Sequence, residues 1–205
     1  MNDRSVFAII LAAGSGRRMG QLKQLMPYGE GTMLDAVIEA VLESPLEGLV
    51  LVANPQVAEA MEDRLPERCT VEVNDDAESE MLVSVQLGLD CLLEAFEAKP
   101  ADGVMVLLAD QPEVTAGVIT TCAESYRLPR KAPGILIATY RGRRGHPTIF
   151  SIEQLKKVQT WPKDRRLSDL MRDDPAAVRE LPITTCRMPI DVNTPDDYAR
   201  LSKPR

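Results

Sequence analysis

The sequence predicts an α/β protein, a three-layer α/β/α sandwich in which a mostly parallel sheet with one mixed edge lies between two layers of helices. Segments of strand character alternate with segments of helical spacing through the first two-thirds of the chain. The segments 6–12 and 103–109 are apolar throughout, as strands covered on both faces are. We expect a single domain over residues 1–205, a length that allows a sizeable core.

The first part of the chain alternates strictly between the two kinds of element. Strands are expected where apolar residues run together or alternate with polar ones, at 6–12, 48–53, 70–74 and 103–109. Helices are expected where apolar residues recur at helical spacing, at 32–43, 55–65, 78–96 and 115–126. Thr32 with Asp35, and Thr115, supply the cap residues of two of these helices.

The last third departs from this alternation, which predicts the mixed edge of the sheet. A strand is expected at 135–140, a basic turn at 141–145 and a short apolar piece at 147–150. Two short helices are expected at 151–157 and 167–171, and two short strands at 178–181 and 188–192. A last helix is expected from Pro195 to about residue 202, because Thr194 is a suitable cap and Asp196 and Asp197 lie in the first turn.

Composition excludes several classes of function. The net charge of −7 and the 4% of aromatic residues argue against a nucleic-acid partner, which requires basic patches or stacking platforms. The single histidine, His146, excludes multi-histidine zinc sites and disfavours a Ser-His-Asp hydrolase. A catalytic metal would therefore be held mainly by oxygen atoms, which favours Mg²⁺.

The same features bear on location. No apolar run approaches the roughly 20 residues of a membrane span. The N-terminus carries an acidic residue and leads into an apolar run too short for a signal peptide. The four cysteines form no C-x-x-C pair, which favours free thiols. We expect a cytoplasmic protein with no membrane partner.

The opening of the chain has the composition of a phosphate site. Gly14 and Gly16 permit backbone conformations in which amide groups point together at an anion. Arg17, Arg18 and Lys23 add three positive charges, with no acidic residue between positions 14 and 23. A tight turn with solvated arginines is the alternative. The spacing does not match a P-loop, and Met19 stands where a dinucleotide fingerprint needs glycine.

Two acidic residues are candidates for a metal site. Asp110 ends an apolar strand at the edge where ligands bind in open α/β sheets, although an aspartate before x-Pro also serves as a turn cap. Asp191 and Asn193 would lie on one face of an extended segment. Asn193 has a cap as its alternative role, whereas a helix cap does not need Asp191.

Two further segments have open interpretations. His146 follows a basic stretch that is either a second anion site or a hairpin turn with a solvated edge. Ser84 lies near the start of a long helix, where it either contacts a nucleotide or is a surface serine.

Five motifs in this order resemble the MobA-like nucleotidyltransferases, and within them the molybdenum cofactor cytidylyltransferases. They are LAAGSGRRMG with KQLMP, SVQLGL, LLADQP, RRGHPTIF and DVNTPDDY, and they cover nearly the whole chain. The guanylyl branch usually carries LAGG and an aspartate before the lysine. This chain has Ala12 and Ala13 there, and Leu22 before Lys23, which favours CTP. Glu80 stands where the family often has glycine.

The resemblance implies a Rossmann-like fold of the nucleotide-diphospho-sugar transferase type and an Mg²⁺-dependent reaction. CMP would pass from CTP to the terminal phosphate of molybdopterin with release of pyrophosphate, and a molybdenum hydroxylase would receive the product. Alternatives are another nucleotide such as GTP, another acceptor such as a sugar or alcohol phosphate, or an accessory protein that only binds the cofactor.

The resemblance also implies the site residues. The catalytic residues would be Arg17, Lys23 and Asp110, and the metal ligands Asp110 and Asp191. The acceptor would be bound by Gln111, His146 and Asn193. The nucleotide would be bound by the end of the first strand, the glycine-rich loop, the lysine and the helix serine: Leu11, Ala12, Ala13, Gly14, Ser15, Gly16, Arg17, Lys23 and Ser84.

Overall fold

The computed structural model describes residues 4–14, 21–76, 79–128, 134–184 and 189–201. The strands within these ranges are β1 (Val6–Ala12), β2 (Pro27–Tyr28), β3 (Gly31–Thr32), β4 (Leu49–Ala53), β5 (Cys69–Val73), β6 (Gly103–Leu108), β7 (Ile135–Tyr140), β8 (Arg143–Ser151) and β9 (Val178–Pro182). The helices are α1 (Met33–Leu42), α2 (Pro55–Met61), α3 (Met81–Ala95), α4 (Ala116–Arg127), α5 (Ile152–Val158), α6 (Leu167–Asp173) and α7 (Pro195–Leu201).

Seven strands form one sheet in the order β5-β4-β1-β6-β8-β7-β9. The first four are parallel, β8 runs antiparallel to both of its neighbours, and β9 is parallel to β7. Alternate side chains of β1 enter two separate cores, with Ile10 among α1, α2 and α4 and Ile9 among α3, α5 and α6. The expected three-layer fold with a mixed edge is therefore confirmed.

The last third of the chain differs from the expectation in two places. The basic segment expected as a turn belongs mostly to β8, and the turn itself is Arg141-Gly142, with φ of 51° and 78°. The strand expected at 188–192 is wrong for residues 189–192, which have no strand structure. Pro189 has no N–H to donate to a strand ladder, and Val192 instead packs against Met26 and Met33.

The small β2–β3 hairpin was not expected from the sequence. It pairs Pro27 with Thr32 and turns at Gly29, whose φ of +60° suits glycine. Thr32, at its end, caps α1 through the expected capping box with Asp35. The hairpin therefore joins the loop that carries Lys23 directly to the first helix.

Other expectations concern membranes and thiols. None of the helices within the described ranges has the length and apolar character needed to cross a bilayer. Cys69 and Cys91 are free thiols, as expected, and burial raises the pKa of Cys69 to about 11. Cys186 lies outside the described residues.

Replacing Gly88 with alanine is expected to destabilise the protein by about 1–3 kcal/mol, because the methyl group overpacks the contact between α3 and the sheet. The new Cβ would lie 2.8 Å from Val52 Cγ2 and 2.9 Å from Ile9 Cγ2. Gly117→Ala in α4 is the matched control, since the nearest atom, Thr115 Oγ1, would lie 3.8 Å away. Urea unfolding should therefore give a lower midpoint for Gly88→Ala and a higher one for Gly117→Ala. Equal midpoints would contradict the close packing of α3.

Candidate active site

The carboxyl ends of β1 and β6 lie side by side and open a crevice. The Ala109 amide donates to the Leu11 carbonyl oxygen at 3.1 Å, which holds the residue after β6 beside the end of β1. Asp110 follows at this edge, and Lys23 reaches it from a 3-10 turn at Lys23–Leu25. The Lys23 ammonium group donates to the Asp110 carboxylate, and Lys23 Nζ lies 3.0 Å from Asn193 Oδ1. Three predicted site residues, far apart in sequence, therefore meet in one cluster.

The segment before α7 closes one side of this cluster. The Val192 amide donates to the Asp110 carbonyl oxygen at 3.2 Å, so residues 191–193 lie against the end of β6. Gln111, which is 3% exposed, donates from its side-chain amide to the Asp191 carboxylate. Thr194 caps α7 by accepting from the Asp197 amide, which leaves Asn193 to contact Lys23. The two expected metal ligands are thus both held at the crevice.

The crevice contains two neighbouring pockets. The smaller, of about 210 Å³, contains most of the predicted nucleotide residues, Leu11, Ala13, Gly14, Lys23 and Ser84, together with the predicted metal ligand Asp110. The larger, of about 470 Å³, contains predicted acceptor and metal residues: Gln111, His146 and Asp191. Met81 and Leu108 line both pockets, so the two share a wall. Ala12 is buried behind this surface, and Ser15, Gly16 and Arg17 lie outside the described residues.

Two amide side chains that were not expected at the site hold the start of the glycine-rich segment. Gln24, which is 2% exposed, donates to the Ala12 carbonyl oxygen at 2.9 Å and to that of Gly14 at 2.6 Å. Asn54 caps α2 and also donates to the Ala13 carbonyl oxygen at 3.4 Å. The sequence offers no signal for either role, because both depend on contacts between separate elements.

The larger pocket has an apolar floor and a charged rim, in which arginines stand beside the acidic residues Glu80 and Asp191. Three arginines line it, Arg144 from β8 and Arg165 and Arg166 from the loop before α6. Arg144 Nε is 2.8 Å from Glu180 Oε1, and the Arg165 guanidinium stacks 3.5 Å above the Trp161 ring. The floor is formed by Leu82, Ile137, Phe150, Leu167 and Met171. Such a lining suits an anionic group attached to an apolar or planar body.

The acidic residues fit a hard divalent cation. Carboxylate oxygens are the ligands that Mg²⁺ prefers, and Mg²⁺ is commonly bound by one or two carboxylates together with substrate phosphates. No group of three or more acidic, histidine or cysteine side chains among the described residues is arranged to hold a metal ion. Asp110 and Asp191 therefore suit an ion that completes its shell with water and phosphate oxygens.

His146 is held neutral at the wall of the larger pocket. Its Nδ1 lies 3.3 Å from the Val106 carbonyl oxygen, which makes Nδ1 the protonated nitrogen. Burial lowers the pKa of His146, against the opposing effects of the Val106 carbonyl and of Asp191 and Asp110. A neutral imidazole cannot supply charge to an acceptor phosphate, although its Nε2 can accept a hydrogen bond.

Folding stability is expected to decrease as the pH falls below 6.5, the ordinary pKa of histidine. Because the folded pKa is lower, the unfolded chain binds a proton that folded His146 does not, so this stability is complete above 6.5 and is lost toward the folded pKa. The slope can reach about 1.4 kcal/mol per pH unit. Urea unfolding as a function of pH measures it. His146→Asn removes the chain's only histidine and should abolish the slope, and identical slopes would contradict the lowered pKa.

The chain is similar in sequence to known nucleotidyltransferases. The family model for the MobA-like NTP transferase domain matches residues 8–179. The molybdenum cofactor cytidylyltransferase of Escherichia coli (strain K12) is 25% identical over 197 residues, covering 95% of this chain and 94% of that protein. Purine catabolism protein PucB of Bacillus subtilis (strain 168) is 30% identical over 210 residues, covering 97% of this chain and 96% of that protein.

Solved structures agree with the architecture. Rv0371c from Mycobacterium tuberculosis H37Rv has a TM-score of 0.82 at 26% identity, covering 98% of both chains. A complex of Rv0371c with manganese has a TM-score of 0.76 at 25% identity, covering 97% of both chains. The 4-diphosphocytidyl-2C-methyl-D-erythritol synthase of Anaerococcus prevotii DSM 20548 is only 15% identical but has a TM-score of 0.74, covering 97% of this chain and 94% of that one. The expected nucleotide-diphospho-sugar transferase fold is confirmed.

Proposed function

Because the chain belongs to the MobA-like NTP transferase family, we propose that it transfers CMP from CTP to the terminal phosphate of a molybdopterin-type cofactor. The observation that carries this proposal is the cluster of Lys23, Asp110 and Asn193 beside two pockets that share a wall. One pocket suits a nucleoside triphosphate and the other suits a phosphorylated acceptor. A reaction that joins two phosphates needs both at one edge.

The geometry supports direct transfer in which the acceptor phosphate attacks the α-phosphorus of CTP and pyrophosphate leaves. Lys23 would neutralise charge on the triphosphate, and its contacts with Asp110 and Asn193 hold its ammonium group in place. Asp110 and Asp191 would hold Mg²⁺, which when bound neutralises phosphate charge. The shared wall of Met81 and Leu108 would bring the two substrates together in line.

Separate observations support each substrate. Ala12 and Ala13 favour cytidine, and the relative from Escherichia coli is a cytidylyltransferase. The arginines and apolar floor of the larger pocket suit a phosphate carried by a planar pterin. A molybdenum hydroxylase as recipient of the product stays a prediction from the family resemblance. The dependence on Mg²⁺ is likewise a proposal. A similar protein was solved in complex with manganese, which supports a divalent cation in general.

The experiment is pyrophosphate release from each of the four nucleoside triphosphates, with Mg²⁺ or Mn²⁺, in the presence and absence of molybdenum-loaded molybdopterin. Release that needs both CTP and the cofactor is expected. Dephosphorylated cofactor is the matched control and should give no release, because the attacking group is missing. Release with a sugar or alcohol phosphate instead would identify that compound as the acceptor. No release with any pair would leave the accessory binding protein as the function.

A further inference from the structure

The end of β5 and the start of α3 are joined by a hydrogen-bonded cluster around Asn74. Asn74 is 3% exposed, and its Nδ2 lies 2.9 Å from both Ser79 Oγ and Ser84 Oγ. Its Oδ1 accepts from the backbone N–H of Asp76 at 3.1 Å, and the backbone N–H of Asn74 donates to the Ala53 carbonyl oxygen at 2.8 Å. These contacts fix the side chain, so its amide nitrogen must face the two serines.

This arrangement decides what the two serines can offer to a ligand. A side-chain amide has two hydrogens, and here each hydrogen goes to one serine oxygen. Each hydroxyl therefore acts as acceptor toward Asn74 and keeps its own hydrogen. In the part of the chain that the structure describes, neither hydroxyl donates to a protein acceptor, and both serines line the smaller pocket. That end of the pocket, which Asp76 also lines, therefore presents two hydroxyl donors.

The sheet order indicates which part of a nucleotide lies there. Asn74 follows β5, which is separated from β6 by three strand spacings. At about 4.8 Å per spacing, the strand carrying Asn74 lies about 14 Å across the sheet from the one carrying Asp110. A triphosphate beside Lys23 and Asp110 would therefore point its nucleobase toward Ser79 and Ser84.

We propose that Asn74 is a positioning residue that fixes Ser79 and Ser84 as donors and thereby selects cytosine, whose O2 and N3 are adjacent acceptors. The matching edge of guanine presents N1–H and N2–H, so donors would face donors and polar groups would be left unpaired. The inference rests on the proposed binding of a nucleoside triphosphate in this pocket. It adds a reason for the choice of cytidine that lies outside the Ala12-Ala13 motif.

The test is Asn74→Asp, a change of nearly equal volume that replaces the donating amide with an acceptor. Both serines would then donate to the carboxylate and turn their lone pairs toward the ligand. The dissociation constant of CTP, measured by calorimetry with Mg²⁺ and no acceptor, should rise about 10- to 100-fold relative to that of GTP. Taking the ratio of the two nucleotides cancels the general repulsion from the added charge. In turnover assays the KM for CTP should rise while kcat stays within about threefold.

Two further variants separate this role from a loss of folding. Ser79→Ala and Ser84→Ala keep Asn74 and remove one donor each. Each should weaken the binding of CTP about tenfold and change the binding of GTP little. They also provide the test if Asn74→Asp does not fold. Asn74→Ala, which adds no charge, should give a loss of CTP affinity between that of the wild type and that of Asn74→Asp.

The outcomes are distinct. A ratio of the CTP and GTP dissociation constants that stays within about threefold of the wild type in the folded serine variants would overturn the inference. The loss of one such hydrogen-bond donor should change affinity by about tenfold. An equal loss for all four nucleotides would also overturn it, since the hydroxyls would then contact the ribose. If the wild type prefers CTP and the variants lose that preference without transfer to molybdopterin, the proposed acceptor fails and the inference stands. A wild type that prefers a purine nucleotide, or binds none, would overturn both.

Discussion

Asp110→Asn is expected to lower the rate of pyrophosphate release by about a thousandfold or more while the protein remains folded. The substitution keeps the shape of the side chain but removes the charge that faces Lys23 and would bind the metal ion. The Asp110 carbonyl oxygen would still accept from the Val192 amide, so the backbone at the end of β6 should not move. The loss should therefore appear in turnover and not in secondary structure.

The control for this prediction is a charge change elsewhere on the chain. Asp63→Asn removes an exposed carboxylate from a 3-10 turn outside both pockets and should leave the rate unchanged. Circular dichroism and thermal unfolding would establish that both variants are folded. Near-normal turnover in a folded Asp110→Asn protein would contradict the assignment of Asp110 as a metal ligand.

Lys23→Met is expected to lower turnover by about 100- to 1,000-fold, because one preorganised positive charge near the reacting phosphates is lost. The lysine ion pair with Asp110 is only 16% and 13% exposed, so its ammonium group is held in a narrow range of positions. Lys23→Arg should recover little of the activity, since a planar guanidinium cannot occupy the place of a compact ammonium group beside Asn193. Initial rates at saturating substrates would measure the effect.

The matched control for Lys23 is Lys156→Met, which removes an exposed lysine from α5 and should behave as the wild type. Thermal unfolding should also change little in Lys23→Met, because a partly exposed ion pair contributes modestly to stability. A large drop in melting temperature with proportionate loss of activity would instead identify Lys23 as a structural residue. An unchanged rate would contradict its catalytic role directly.

The parts of the site that the sequence predicted have local signals. Asp110 follows an unbroken apolar strand, and Lys23 follows a glycine-rich sequence, so each could be located from its neighbours alone. Their meeting at one edge follows from parallel strands, because the carboxyl ends of such strands lie together. Apart from the β2–β3 hairpin, the alternation of strand and helical patterns also predicted the order of the elements through α4.

The parts that the sequence did not predict depend on tertiary contacts. Gln24 and Asn74 are buried amides that donate to Ala12 of β1 and to Ser84 of α3, and nothing near them in the chain indicates these two contacts. The first half of β8 was expected as a turn because it is basic and lacks apolar alternation. It is a strand because Arg143 and Arg144 pair with β7, on a stretch that does not pair with β6 and can remain polar. The arginines of the larger pocket likewise come together only in the folded chain.

The reversed direction of β8 separates the two halves of the site in a way that bears on how such enzymes diversify. The parallel strands bring their last residues to the crevice, whereas β8 brings its first residues, including His146, to the same edge. The part of the site proposed for the triphosphate is thus built by β1 and β6, which are buried on both faces and where most substitutions are costly. The rim of the proposed acceptor end is built from the exposed first residues of β8, including Arg144, and from the loop before α6, where sequence can change at little cost in stability. A lineage could therefore exchange acceptors while keeping one nucleotide and one chemistry.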